Sequence, residues 1–289
     1  MPEESTPTPT PTKREHVYHA QAYALDGDLH RPLKTPVKPQ SYVKVPDGGG
    51  YLSERSVDYR LEGIFSFRHA YSQVAGNRSL KPGGGWVTLA TSVMEGFNVL
   101  DVVTADRIVA QISTEYPLDG YVPEVTFLGT RFENLKIAGH HVDVKLDTGF
   151  LGSKPANDGI YHGDKGFRER VNEQRSRILK GKSLPDEIGQ RYNQLPSNAV
   201  TGETIEWSLV QHAEGGYPGT SFGHAIDIPH FGKVYLGVVR LQHGTYQTSV
   251  PGDHPSTTIS LTMVEMVMGC IGHGKAGGGN AVVNGTSAP

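Results

Sequence analysis

The chain has 289 residues, of which 36% are hydrophobic and 20% charged, and its formal net charge is −3. Without a basic excess there is nothing to neutralise phosphates, which excludes nucleic acid as a partner. A single cysteine, Cys270, rules out an intramolecular disulfide, and one large all-β domain fills this length without a second domain being required.

Met1 to Lys13 reads MPEESTPTPTPTK. The Thr-Pro alternation has no apolar stretch of signal-peptide type and cannot nucleate a helix, so residues 1–15 are expected to be a disordered tail. No apolar run approaches membrane-spanning length. The localisation is therefore left open.

From His16 onward, apolar or β-branched segments alternate with turn signals, the signature of strands. His16 to Leu25 sets Ala20, Ala22 and Ala24 opposite larger residues. Ser41 to Val45 is short and bounded by Pro39 and Pro46. Val57 to Leu61 and Ile64 to Tyr71 alternate cleanly. Trp86 to Val93 follows a triple glycine, and Phe97 to Val103 is separated from Ile108 to Ser113 by polar residues 104–107. Val125 to Leu128, Phe132 to Ile137 and His141 to Leu146 come next, with Ala138-Gly139 as a tight hairpin turn.

The period then changes. Between residues 166 and 181, Phe167, Val171, Ile178 and Leu179 share a helical face, with Asp164 as cap and Gly181 as stop. A second helical turn runs from Pro185 to Tyr192. Strands resume at Thr204 to Gln211, His224 to Ile228, Lys233 to Leu241 and Thr257 to Met268. Residues 272–289 are rich in Gly, Ser and Asn and read as a flexible tail. The expected fold is a single all-β domain over 16–271, a jelly-roll-like β-sandwich with a helical insertion near 166–181; a β-barrel is the alternative.

Motifs that carry chemistry are scarce. Val144 to Gly149 leads an apolar strand into Asp147-Thr148-Gly149, the triplet of retroviral-type aspartic proteases. It occurs once, its partner motif is missing, and ordinary turn chemistry explains it. The 13 histidines show no metal-ligand spacing: His140 and His141 are adjacent and point to opposite faces, while His212, His224, His230, His243 and His254 are scattered. No metal and no cofactor is expected. The glycine runs 48–50 and 83–85, each followed by an aromatic residue, lead into strands and so form no phosphate cradle. Glu124, Glu133, Asp143, Glu206 and Asp227 can supply carboxylate pairs for glycoside hydrolysis. Trp86, Trp207, Tyr217 and Tyr235 are able to stack on sugars or fill the core. Cys270 reads as a small hydrophobe at a strand end.

Several strings carry a family resemblance: Asn98-Val99-Leu100 with Val103 to Asp106, Thr130 to Gly139, and Ile228 to Gly237 followed by Leu261-Thr262-Met263. They resemble bacterial proteins of the choice-of-anchor type, strand-rich and often attached to the cell surface. The resemblance covers most of Ala20 to Cys270. It implies an all-β fold and a surface setting, but no catalytic residue. The favoured reading is a non-enzymatic structural or binding module with an unknown protein or carbohydrate partner. The alternatives are a carbohydrate-active or other hydrolase with an acidic cleft, and a self-assembling subunit, which leaves homo-oligomers open.

Overall fold

The computed structural model describes residues 16–30, 34–118, 120, 122–156, 159–193, 203–247, 253–269 and 274–287. The proline-rich segment and Cys270 lie outside these. Among the described residues strand takes 62% and helix 11%, so the alternating segments decide the fold.

The elements run β1 (His16–Leu29), β2 (Thr35–Gln40), β3 (Val43–Lys44), β4 (Gly50–Leu61), β5 (Phe65–Arg78), β6 (Gly84–Val99) and β7 (Val103–Pro117). Short strands follow: β8 (Glu124–Thr126), β9 (Arg131–Glu133), β10 (Lys136–Ile137), β11 (His140–His141) and β12 (Asp143–Leu146). Then come α1 (Lys165–Leu179) and α2 (Asp186–Asn193). The chain continues through β13 (Thr204–Ser208), β14 (Val210–Glu214), β15 (Thr220–Phe222) and β16 (Ala225–Ile228). It ends with β17 (Gly232–Gln247), β18 (Asp253–Met268) and β19 (Gly274–Ser287).

Two antiparallel sheets face each other. Sheet I has the order β15-β16-β17-β18-β19-β1-β2, with β13 also on β17 and β3 also on β1. Sheet II has the order β11-β10-β7-β6-β5-β4, with β8 and β9 also on β7. Neither closes on itself, which makes the fold an open sandwich and not a barrel. Neighbours in each sheet are mostly consecutive in sequence, a meander in place of the crossed connections of a jelly roll. The exception joins β1 to β19, from His16 opposite Ser287 to Leu29 opposite Gly274.

That pairing overturns the expectation of a flexible C-terminal tail. The glycine-rich stretch forms β19, an inner strand of sheet I. Its glycines answer a steric demand: a Cβ on Gly278 would lie 3.0 Å from Met94 Cε of the facing sheet, and one on Gly279 3.0 Å from Ile108 Cγ2. Linker-like composition here is close packing between layers.

The turn between β6 and β7 also differs from expectation. It lies at Leu100-Asp101, both with positive φ (52° and 55°), not at 104–107. Asn98 Oδ1 accepts from the Asp101 N–H at 2.8 Å and stabilises this turn without a glycine. The Ala138-Gly139 turn is as expected, with φ of 48° and 81° and Ile137 opposite His140. The helix expected at 166–181 is α1, its first turn capped by Asp164, whose Oδ1 accepts from Phe167 N–H at 2.6 Å. Phe167, Val171 and Ile178 are buried while Leu179 is exposed, so the buried stripe ends one residue earlier than expected.

A transverse line of skipped pairs crosses sheet I. Strands β17 and β18 pair Leu236 with Val264 and then Val238 with Thr262, passing over Gly237 and Met263. Pairing of β18 with β19 passes over Met263 and Gly279, and pairing of β1 with β19 passes over Ala24 and Gly279. Gly237 and Gly279 have φ of 60° and 67°. At these skips the register is kept but the side-chain alternation shifts by one. Two successive residues on a strand, Met263-Val264 and Ala24-Leu25, are consequently both buried. Sheet II carries a matching line, with Asp58 (φ 50°) and Gly96 (φ 66°) left out of the ladders.

Gly279→Ala is expected to cost about 2 kcal/mol, because φ and space both refuse a methyl group. Chemical denaturation would measure it. Gly244→Ala in β17, where nothing lies within 4 Å of the new Cβ, serves as the control and should change little.

Candidate binding face and its charge cluster

The side of sheet I turned away from sheet II is half covered. Helices α1 and α2 lie over β16, β17 and β13, where Ile178, Ile188 and Tyr192 pack on Phe222, Ala225, Tyr235 and Val238 in a second, smaller core. Gln174 of α1 ties the layers together. Its Nε2 donates to Ser208 O at 2.9 Å and its Oε1 accepts from Ser208 N–H at 2.8 Å.

At the border of the covered half sits a closed ring of charges. Arg191 of α2 reaches Glu206 of β13 (Nε–Oε1, 2.7 Å) and Glu265 of β18 (Nη1–Oε1, 2.8 Å). Arg240 of β17 reaches the other oxygen of each, Glu206 Oε2 at 2.8 Å and Glu265 Oε2 at 2.5 Å. The Arg191 guanidinium lies 3.9 Å over the Tyr235 ring. Burial works against the Glu265 charge, but Arg191 and Arg240 overcome it and hold its carboxyl below the usual range. Next to the ring, Tyr192 Oη and His224 Nε2 are 2.6 Å apart, and both side chains are buried. Burial, with Arg191 adding to it, pulls His224 down to about 3, so its imidazole is neutral.

Beyond the ring the face is open and its chemistry changes. Alternation aims Gln21 and Tyr23 of β1, Thr258, Ser260 and Thr262 of β18, and Val282 of β19 outward. Thr262 Oγ1 donates to Asn280 Oδ1 at 2.8 Å, and Asn280 Nδ2 donates to Gly277 O at 3.1 Å. Tyr42, from the β2–β3 turn, donates to Gln21 Oε1 at 3.3 Å, and its ring lies 6.3 Å from that of Tyr23, tilted by 37°. Past the line of skipped pairs Asp26 comes outward. Burial first, then the neighbouring Asp28 and Glu265, push its carboxyl up to about 6. On the other side of that line a shallow hollow of about 240 Å3 opens among His19, Gln21, Lys44, Thr258 and Val282.

A second concavity, about 440 Å3, lies between α1 and β14. Asp147 is on its wall, as a turn residue: Oδ1 accepts from Gly149 N–H at 3.1 Å and Oδ2 from Gln211 Nε2 at 3.3 Å. Among the described residues lining this cleft the only other carboxylate is Glu173. Arg170 holds the turn against α1, donating to Phe150 O at 2.8 Å and Leu151 O at 3.0 Å.

Of the carboxylates singled out in the sequence, Glu206 joins the charge ring. Glu133 pairs with Arg131 at 2.7 Å, and Glu124, Asp143 and Asp227 lie apart on β8, β12 and β16. Trp207 is core, packed on Phe150 and Phe167, and Trp86 stacks on His16 at 4.9 Å. Tyr217 donates to Ala213 O at 3.1 Å. His140 and His141 are exposed in β11, His212 lines the cleft, His230 sits in a turn with φ of 63° and His243 lies 6.3 Å from His162. The His254 side chain lies outside the described ones. Among the described residues no group of three or more His, Cys, Asp or Glu is placed to hold a metal ion. Among the described residues no helix is long and apolar enough to cross a membrane.

Sequence reasoning missed Tyr23, Asp26, Tyr42, Arg191, Arg240 and Glu265. A signal was present for two of them: Arg240 and Glu265 are lone charges inside the apolar runs of β17 and β18. Such a charge in a strand needs a partner from elsewhere.

Residues 16–242 match the model of a domain of unknown function, DUF8256. The chain belongs to that family. The DUF8256 stretch takes in β1, both helices, Glu206 and Arg240, whereas Glu265 and the rest of β18 and β19 lie past it. No curated protein matches the chain.

Two outcomes follow from these environments. The folded Asp26 carboxyl titrates near 6 against an ordinary 3.8. The folded state therefore binds the extra proton between these values, and stability falls as pH rises from about 4 to 6. Asp26→Asn should gain on the order of 1–2 kcal/mol over the wild type at pH 7.5, after solvent screening, and nothing near pH 4, read from urea midpoints. Asp147→Asn keeps an acceptor oxygen, so it should cost about 1 kcal/mol and leave the far-ultraviolet circular dichroism unchanged.

Proposed function

We propose that this chain is a non-enzymatic binding module whose recognition surface is the open half of the outer face of sheet I. One observation carries the reading. That surface is floored by hydroxyl and amide groups from β1, β18 and β19, and its charged side chains, Lys44 on one side and Asp26, Asp28, Arg240 and Glu265 on others, surround that floor. Solvated sheet faces ordinarily hold long charged side chains. A floor of short neutral donors and acceptors with two tyrosine rings at its side is suited to hold a ligand. A cell-surface setting, as in the choice-of-anchor proteins that the sequence resembles, is part of this proposal.

A hydrolase is the competing reading. It is favoured by the split between Asp26, raised to about 6, and Glu265, held ionised, since acid and base pairs are built on such differences. Against it, both Glu265 oxygens are bonded to guanidinium groups, which leaves that carboxylate poorly free to attack or to take a proton.

The test is thermal denaturation in the presence of amino acids, dicarboxylates, nucleotides and neutral oligosaccharides, for the wild type and for Ser260→Trp, which fills the floor. At least one class should raise Tm in the wild type and fail to do so in the variant. No rise with any class, or a rise that survives Ser260→Trp, would remove the face as the recognition surface.

A further inference from the structure

We infer that the open half of the outer face of sheet I holds a neutral oligosaccharide chain, with Tyr23 and Tyr42 as its stacking rings and Gln21 and Ser260 among its hydroxyl partners. This rests on the reading of that face as the recognition surface and names the ligand class.

Charge is the first constraint on the ligand. The four charges of the ring formed by Arg191, Glu206, Arg240 and Glu265 cancel, and each carboxylate bridges both guanidinium groups. What the ring offers at the border of the open half is therefore a fixed set of dipoles with no net charge. Lys44 stands alone at the far rim, and one cation does not select a phosphate chain. An anionic ligand has too little to hold it, and the carboxylates that would attract a cationic one, Asp26 and Asp28, lie past the skipped pairs, away from the hydroxyl floor, while Glu265 is already paired.

Apolar ligands are excluded by the floor. Thr258 and Ser260 would lose water without gaining partners, a penalty that hydroxyl-rich ligands avoid by replacing the water bond for bond. Sugars add a second requirement, since their C–H faces need an aromatic surface. The Tyr42 ring, 44% exposed, supplies it, with Tyr23 alongside at 6.3 Å and a tilt of 37°. The bond from Tyr42 to Gln21 fixes the outer ring and orients the amide.

Shape points the same way. At about 240 Å3 the hollow beside Gln21 and Thr258 is smaller than the roughly 300 Å3 at which pockets begin to enclose a drug-sized ligand. It fits one ring of a chain whose other units lie along open strands. No bond to the ligand is made or broken, so the chain is expected to be released intact.

The experiment is isothermal titration calorimetry with hexasaccharides of β-1,4-linked glucose, mannose, xylose and N-acetylglucosamine, followed by chromatography of the recovered sugar. At least one should bind and be recovered uncut, with affinity falling about tenfold in Tyr42→Ala, a loss of the size expected for one aromatic contact. Tyr42 is exposed, so this variant should keep the wild-type circular dichroism, and Gln21→Ala should weaken binding independently. If none of the four binds while another class in the thermal panel does so in a Ser260→Trp-sensitive way, the glycan assignment fails and the recognition face stands. If no class binds, both fail. Binding that ignores both substitutions, or a shortened sugar, would also overturn the inference.

Discussion

The skipped pairs that cross sheet I fix what each of its faces can carry. A regular antiparallel ladder would keep one set of alternate residues inside along the whole strand. By passing over Ala24, Gly237, Met263 and Gly279, four neighbouring strands change their set at the same level. The inner face receives successive apolar residues, which fill the space against Met94, Phe97 and Ile108. On the outer face Tyr23 and Asp26, three residues apart in β1, and likewise Thr262 and Glu265 in β18, share one surface. Had the strands run without the skip, Asp26 and Glu265 would point into the core, where an ionised carboxylate is untenable without a partner.

The charge ring answers the remaining cost of putting Glu265 and Glu206 under a helix layer. Every carboxylate oxygen meets a guanidinium, Glu265 Oε2 both of them, and the planar fork of arginine suits such pairing better than a lysine would. Geometry of this kind registers α2 on the sheet more than it adds net stability, because desolvation offsets much of the attraction. The helix pair thereby ends at a defined border, and the surface beyond that border stays open.

Much of this fold was legible because its signals are local. The strands at Val57 to Leu61 and Ile64 to Tyr71, the cap at Asp164 and the Ala138-Gly139 turn depend on neighbours in sequence and are found where expected, although the skip at Asp58 interrupts the alternation of that strand pair. The misreadings come from distant contacts. Residues 274–287 look like a linker because the demand for glycine arises from Met94 and Ile108, far away in the chain. The Leu100-Asp101 turn carries no glycine, so its dihedral angles left no mark beyond Asn98. The proposed binding face was hidden for the same reason: Tyr23, Tyr42, Arg191, Arg240 and Glu265 come from separate elements, and no motif spacing records their meeting. Asp147, by contrast, stood in a recognisable triplet and proved to be a turn residue.

The β1–β19 ladder has a mechanical consequence. His16 lies opposite Ser287, so tension applied at these two residues acts at one end of the ladder, along its hydrogen bonds. Rupture then proceeds as peeling, one pair at a time, where tension along the strands would load all the pairs together. A chain pulled through these two residues would thus yield at low force, opening sheet I from the β1 side first. The β4-to-β7 meander of sheet II, whose strands include neither His16 nor Ser287, would keep its own ladders while the Tyr23 side of the proposed recognition face is pulled away. In a load-bearing setting, loss of that proposed surface would be an early event of stretching.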